Sequence, residues 1–465
     1  VTGLMPLIEA GGPIAVTATG GALYARQHAP RLYWSSVGMP AAAFRMSRDW
    51  AGTMEACGLS AEPPMWKVFA ARAGERDALV RPAPPKVRGL RPSTRGLRIR
   101  VRLAKGMTTD TAVRAADALR HAWQVHSVHV TEVRPGIVDL RITGFDVLRK
   151  VVMPDRLAAR AAGEMRIPVA MADDGTVYVR DYKAKPHGLN LGANQSGKSM
   201  FARNLVHGLA GQHVAVCGID CKKGVEQIPF GPRLSALATE PDAALDLLRL
   251  LVNQVMAERY ELVRSYLGIP GTVLDGEITA DIWGLPEHIR PVPLVLIVDE
   301  IAELFLGSSR TDKLRVEQCV TLLVRFAQLA RAAGMYLEVN GQRFGAELGK
   351  GATLLRSQLT NRVVHRVNDS ESARMGLGDV SEEAAAQATN ISPDLPGYAI
   401  AGDTSGHWQR IRTPKRSLTE TAKRCADTAH LVPDLPVLNG FRPVLPVIDA
   451  ELEDLPVYLP ADSAS

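Results

Sequence analysis

The chain is poor in aromatic residues, in cysteines and in long apolar runs. Phe, Trp and Tyr together make 5% of its 465 residues. The five cysteines, Cys57, Cys217, Cys221, Cys319 and Cys425, form an odd and scattered set. That argues against a disulfide framework and fits a reducing cytoplasm. Cys217 and Cys221 lie close in sequence but lack a second pair of ligands, so no zinc site is expected. Residues 4–25 approach membrane-spanning length, but Glu9, Pro13 and several Gly and Thr weaken the run. Arg26, His28 and Arg31 follow at once, as a cytoplasmic flank would, so 1–31 is a candidate membrane segment. Another absence marks 81–105: nine Lys and Arg occur there without one acid. Pro82, Pro84, Pro85 and Pro92 make the first part of that stretch read as an extended basic linker, suited to anionic lipid or DNA phosphates or simply solvated.

What remains is ordinary for a globular chain of two to four domains, with 46% hydrophobic and 22% charged residues. The net charge of +6 is compatible with a polyanionic partner.

The chemistry centres on Gly192-Ala193-Asn194-Gln195-Ser196-Gly197-Lys198-Ser199, which fits G-x-x-x-x-G-K-[ST]. Such a loop turns its backbone N–H groups toward an anionic phosphate, and the lysine adds charge at the β/γ-phosphates. The Ser199 hydroxyl is a candidate Mg²⁺ ligand. The loop is preceded by a short apolar run at Leu189–Leu191. It is followed by helical spacing from Met200, so the next helix aims its positive end at the site. A second signal lies downstream. Pro293–Val298 is an unbroken apolar run, as in a parallel strand covered on both faces, and it ends in Asp299-Glu300. A carboxylate at such a strand's C-terminal end sits where α/β sheets bind ligands. Asp299 is therefore expected in the Mg²⁺ shell and Glu300 beside the attacking water. Gln342, at the end of the strand from Met335, is the candidate γ-phosphate sensor.

Around these motifs strands and helices alternate. Leu97–Leu103, Ser127–Val133 and Ile137–Ile142 read as strands and Thr109–Trp123 as a helix, making a small α/β module over 97–155. Ile167–Met171 and Val177–Val179 read as a hairpin. Val214–Ile219, Asn361–Val367 and Gly397–Ala401 add strands, and Pro241–Tyr266 and Leu314–Ala333 add helices. The expected fold class is α/β: a RecA-like P-loop ATPase over 160–415 with a parallel central sheet, preceded by the small α/β domain. Residues 32–96 are expected to be an N-terminal region and basic linker, and 416–465 a short Pro-rich tail.

From about Leu97 to Pro414 the chain resembles the FtsK/SpoIIIE family of DNA-pumping ATPases. The likeness rests on Pro186-His187 before the loop, Ile219-Asp220-Cys221-Lys222, Glu258-Arg259-Tyr260, Val298-Asp-Glu-Ile-Ala-Glu303, Ala330–Gly334 with Gly341-Gln-Arg343, Thr360-Asn-Arg362 and Ser372-Ala-Arg374. Phe344 stands where the family has proline, and Cys221 replaces another. The stretch after 415 is expected to be too short for the winged-helix reader of chromosome-partitioning members. The profile is closest to actinomycete plasmid and integrative-element transfer proteins of the TraB/Tra type. The resemblance implies ATP and Mg²⁺ as cofactors, a homo-hexameric ring and double-stranded DNA as cargo, at the cytoplasmic membrane face or in the cytoplasm. Arg259, Arg362 and Arg374 become candidates for a charge supplied across subunits. Arg310, Lys313 and Arg315 on 306–316, and Arg343, Lys350 and Arg356 on 343–356, become candidate DNA contacts. The alternatives are a chromosome-segregation pump and a type VII-like protein-export ATPase, the latter set back by the single phosphate loop.

Overall fold

The computed structural model describes residues 24–25, 28–63, 82–151, 153–269, 278–307, 309–345 and 351–443. The expected membrane segment, Lys350 and the end of the Pro-rich tail lie outside them, save residues 24 and 25 and 28–31 of the first. Among the described residues no helix is long and apolar enough to cross a membrane. Two units are distinguished. One comprises the chain to Ala161 with Val169–Val179 and Gln409–Pro414, and the other comprises the rest.

In the first unit an antiparallel sheet has the order β1-β2-β4-β3, from strands Lys86–Pro92 (β1), Gly96–Arg102 (β2), Ser127–Arg134 (β3) and Ile137–Thr143 (β4). Period-two alternation puts Leu97, Ile99 and Val101 on one face, opposite Ile142, Leu140 and Val138 of β4, and all six are buried. Leu119 and Trp123 of the helix Ala116–Trp123 close that face.

Two expectations are corrected here. The N-terminal region is not separate: Trp34, Met46 and Met54, from the helical segment Pro30–Ala56, are buried in the same core. Trp50 stacks on Trp123 at 5.9 Å between ring centroids, and its Nε1 donates to the Pro85 carbonyl at 2.9 Å. The basic stretch is not a free linker either, because Lys86–Pro92 pairs with β2. Its pattern hid this because all seven residues are exposed. An edge strand needs only backbone pairing, and basic side chains keep such an edge from recruiting other strands.

The second unit is built on strands His187–Leu191 (β7), Ala215–Ile219 (β8), Ala236–Ala238 (β9), Leu294–Val298 (β10), Met335–Gly341 (β11), Asn361–His365 (β12) and Tyr398–Asp403 (β13), in the order β13-β12-β7-β11-β10-β8-β9. From β12 to β9 every pairing is parallel; β13 is antiparallel to β12. The sheet is thus α/β and parallel at its centre, as expected, but mixed overall. The expected hairpin is present as Arg166–Ala172 (β5) and Val177–Asp181 (β6), and Trp408–Arg412 (β14) runs antiparallel to β5.

The expected long helix from Pro241 is three segments: Pro241–Leu250, a π-turn at Leu251–Val255 and Met256–Leu267. The first part of the tail belongs to this unit. Ser417 and Glu420 form a capping box that starts the helix Leu418–Asp427, where Cys425 is fully buried, and Leu438 further on is buried in the core.

One buried polar cluster lies deep in this unit. Arg180 and Glu338 are almost wholly buried and form an ion pair. Arg180 also bonds the carbonyls of Asp181, Lys185 and Pro186 and lies 4.1 Å over the Tyr182 ring. Glu338 faces Gly188 across the β11–β7 ladder, where an added Cβ would come within 2.2 Å of its carboxylate. Glycine is required there to make room for the charge.

Candidate nucleotide site

The phosphate loop leaves the C-terminal end of β7, and hydrogen bonds to its neighbours fix its path. Gly192 N donates to Gly341 O at 3.1 Å, Ala193 N to Arg366 O at 2.9 Å, and Gly397 N to Ser196 O at 2.8 Å. The Arg366 guanidinium reaches back to the Asn194 carbonyl at 3.0 Å. Asn194 and Gln195 are exposed at the tip, and Gln195 takes φ 61°. Gly197 takes φ 106°, and a Cβ on it would lie 2.3 Å from Gly397 N, so no other residue fits. The helix Lys198–Ala210 begins at the next residue, so Lys198, Ser199 and Met200 form its first turn.

Parallel order brings the second motif alongside. β11 lies between β7 and β10, so the tips of all three strands converge. Lys198 Nζ donates to Glu300 Oε2 at 2.9 Å, with side-chain exposures of 14% and 4%. Gln342 N donates to the other Glu300 oxygen at 3.2 Å. Lys222, at the end of β8, approaches the same carboxylate at 3.5 Å and Asp299 at 3.8 Å. Burial, reinforced by the nearby Asp220 carboxylate, pushes Asp299 up to about 6. Asp220 is itself fully buried and accepts from the backbone N–H groups of Lys222, Glu226 and Gln227. Beneath the loop, Asn190 donates to Asn340 at 2.8 Å and Asn340 to Val298 O at 2.9 Å, tying β7, β11 and β10 together. A cavity of about 360 Å³ opens beside Ala193, Glu300, Gln342 and Arg343. Lys198, Ser199, Asp299, Glu300 and Gln342 therefore all lie at or next to these converging tips. The arrangement can hold an anion at the loop and a water beside a buried carboxylate.

The three candidate arginines are placed very differently. Arg259 is 5% exposed and donates to Ala333 O at 2.9 Å and Val292 O at 2.8 Å. Arg362 is 1% exposed and bonds Arg356 O at 2.6 Å. Both guanidiniums are committed to carbonyls of their own chain, so neither is presented to a neighbour. Arg374 is 65% exposed in its side chain, with a 3.3 Å pair to Glu382.

The candidate DNA contacts also divide. Arg310 and Lys313 are exposed, but they belong to the first turn of the helix Arg310–Leu329, capped by Ser309, rather than to a loop. Arg315 pairs with Asp312 at 3.0 Å and Asp242 at 3.3 Å. Arg343 is exposed and pairs with Asp369 at 2.9 Å, and Arg356 bonds Phe344 O. The segment Ala352–Gln358 is helical.

Sequence alone gave no site role to Asp220, Lys222, Asn190, Asn340 or Arg366. Asp220 and Lys222 follow a strand tip, the same signal that exposed Asp299. Asn190 and Asn340 are polar residues within otherwise buried strands.

Comparison with known proteins finds two family matches along the chain. Residues 21–144 match the actinomycete conjugal transfer protein N-terminal domain, and residues 155–346 match the FtsK/SpoIIIE family. Transfer protein TraSA of Streptomyces ambofaciens is 50% identical over 396 residues, covering 85% of this chain and 94% of that protein. The chain belongs to this family of FtsK/SpoIIIE-type actinomycete transfer proteins. DNA translocase FtsK of Mycobacterium tuberculosis is 28% identical over 304 residues, covering 62% of this chain and 35% of that protein. Among solved structures, the pCW3 conjugation coupling protein TcpA, a monomer form with ATPγS, matches with TM-score 0.50 and 19% identity, covering 73% of this chain and 93% of that one. That likeness supports the fold alone.

Proposed function

We infer that this chain is an ATP-driven DNA translocase of conjugative transfer, with double-stranded DNA as its cargo. The observation that carries the reading is the contact of Lys198 with Glu300 at the converging tips of β7, β11 and β10. A phosphate-binding lysine and a buried carboxylate at one point make a hydrolase, not merely a binder. When phosphates occupy the loop, Lys198 turns to them and Glu300 is left to polarise water. The residues present fit Mg²⁺: Ser199 and Asp299 are hard oxygen donors, and Asp299, raised by burial and then by the nearby Asp220 carboxylate, is a buried charge that a divalent cation would stabilise. Bound there, the ion would spread the negative charge of the β- and γ-phosphates.

The working form is a ring of six copies. Of the three candidate arginines, Arg374 is the one exposed enough to reach a neighbour's nucleotide. Arg310 and Lys313 are the motor residues best suited to meet DNA phosphates, being exposed at a helix start. The weakly apolar stretch 4–25 and its basic flank support a position at the cytoplasmic face of the membrane.

The test is ATPase activity with and without duplex DNA. Stimulation that fades steeply with salt is expected. Equal activity under both conditions would overturn the translocase reading. For the ring, Arg374→Ala should lose turnover while binding nucleotide, and mixing it with Glu300→Gln should restore part of the activity. Normal turnover by Arg374→Ala alone would remove its trans role.

A further inference from the structure

The first unit carries a charged surface that the nucleotide site does not use. Alternation along β2 sends Leu97, Ile99 and Val101 into the core and Arg98, Arg100 and Arg102 to the opposite, open face. Register extends the pattern to β1, where Arg91 lies opposite Arg98 and Lys86 opposite Arg102. One acid, Asp139 of β4, sits opposite Arg100 in the ladder and is 2% exposed. It holds both neighbouring guanidiniums: Arg98 Nε donates to Oδ2 at 2.8 Å and Arg100 Nε to Oδ1 at 2.8 Å. Their side chains remain 38% and 41% exposed. Lys86, Arg91 and Arg102 are exposed and make no ion pair among the described residues. Toward β3 the face is different, since Arg141 is paired with Asp174 and His129 Nε2 lies 3.4 Å from the Asp173 carboxylate.

We propose that the β1–β2 side of this open face binds the phosphates of duplex DNA without reading sequence, as a contact additional to the motor's own. The proposal rests on the reading of the chain as a DNA translocase. Five cations stand against one buried acid on a plate roughly 14 Å along the strands and about 10 Å across them. A flat array of that size suits an extended polyanion rather than a small anion, which needs a concave cradle. Asp139 gives up part of the charge but orders two long side chains in advance, so less entropy is lost when phosphate arrives. A lipid surface is the weaker match. The exposed apolar side chains of β1, Val87 and Leu90, pair with Val101 and Ile99 and so belong to the other face. The basic face has no apolar side chain from β1 or β2 to insert between acyl chains.

The test uses the full chain without nucleotide and a random-sequence duplex, with affinity measured from about 50 to about 200 mM salt. The triple variant Lys86→Gln, Arg91→Gln, Arg102→Gln should bind more weakly. Its slope of log affinity against log salt should fall by up to about 2.7, near 0.9 for each phosphate no longer neutralised. ATPase activity without DNA should not change, and the charge-keeping variant Lys86→Arg, Arg91→Lys, Arg102→Lys should bind as the parent does. The single variant Arg91→Gln, with a slope lower by about 0.9, guards against misfolding of the triple. A triple variant with the parent's affinity and slope overturns the proposal and leaves the translocase reading standing. Loss of binding to phosphatidylserine-containing vesicles with DNA binding intact overturns it in favour of lipid. A parent that neither binds duplex nor responds to it overturns both.

Discussion

The nucleotide site and the basic sheet face both gather lysines and arginines, but they treat the charge in opposite ways. At the nucleotide site Lys198 is 14% exposed and bonded to a carboxylate that is 4% exposed. On the sheet, Lys86, Arg91 and Arg102 are exposed and Arg98 and Arg100 only partly committed. Low local dielectric makes the first kind of charge strong, weakly screened and, through its hydrogen bonds, dependent on geometry. Water and salt make the second kind weak per pair, screened beyond about 10 Å and tolerant of position. Chemistry needs the first and nonspecific capture of a polyanion needs the second. The arginines of the second unit repeat the lesson: Arg259 and Arg362 are buried and structural, and Arg374 is exposed.

That contrast is broken most easily at its buried end. Glu300→Gln should lower the turnover rate by about 10²–10⁴-fold, the usual worth of a general base, with nucleotide still bound. A steady-state ATPase assay beside a nucleotide-binding titration measures this, and a loss below about tenfold would deny Glu300 the role. Next comes Glu338→Ala, which strands Arg180 without its partner in the core and should cost about 3–5 kcal/mol in urea unfolding. Arg91→Ala, the same removal of one charge at an exposed site, should leave the unfolding midpoint unmoved; a large shift there would erase the distinction between the two settings.

A smaller effect concerns pH. Burial, with Arg180 nearby, pushes His187 down to about 3, and its Nδ1 accepts from Leu337 N at 3.2 Å. The folded chain therefore keeps this imidazole neutral where the unfolded chain, titrating near about 6.5, takes up a proton. The contribution is complete above about 6.5 and is lost as pH falls from there toward about 3. By about pH 5 the loss amounts to about 2 kcal/mol. His365, pushed down to about 4 by burial, acts in the same direction. Unfolding midpoints from about pH 7.5 to about pH 5 should fall for the parent and fall less for His187→Asn, which keeps an acceptor without the titration.

The phosphate loop and the Asp299-Glu300 tip were legible in sequence because both depend on local chemistry. A glycine at positive φ, a lysine one residue later and a carboxylate after an unbroken apolar run leave contiguous marks. Lys86–Pro92 was hidden as a strand because an edge strand exposed on both faces has no apolar alternation to betray it. Trp34 and Met54 were legible as apolar but not as members of the β2–β4 core, since that depends on partners tens of residues away. The arginines failed for the same reason: Arg259 and Arg374 have the same side chain, and only the fold around each distinguishes an anchor from a reaching group.

By itself, then, the sequence marked a phosphate loop on an α/β sheet parallel at its centre and a carboxylate pair at a neighbouring strand tip. Those features are written in short stretches whose backbone needs are met locally. Tertiary structure decided which side chains are free to act. It placed β11 between β7 and β10 so that Lys198 meets Glu300. It buried Arg259 and Arg362, and it turned a run of basic residues into one exposed face of a sheet. Burial and pairing are properties of neighbours distant in sequence, and they set whether a charge is structural, catalytic or available to a partner.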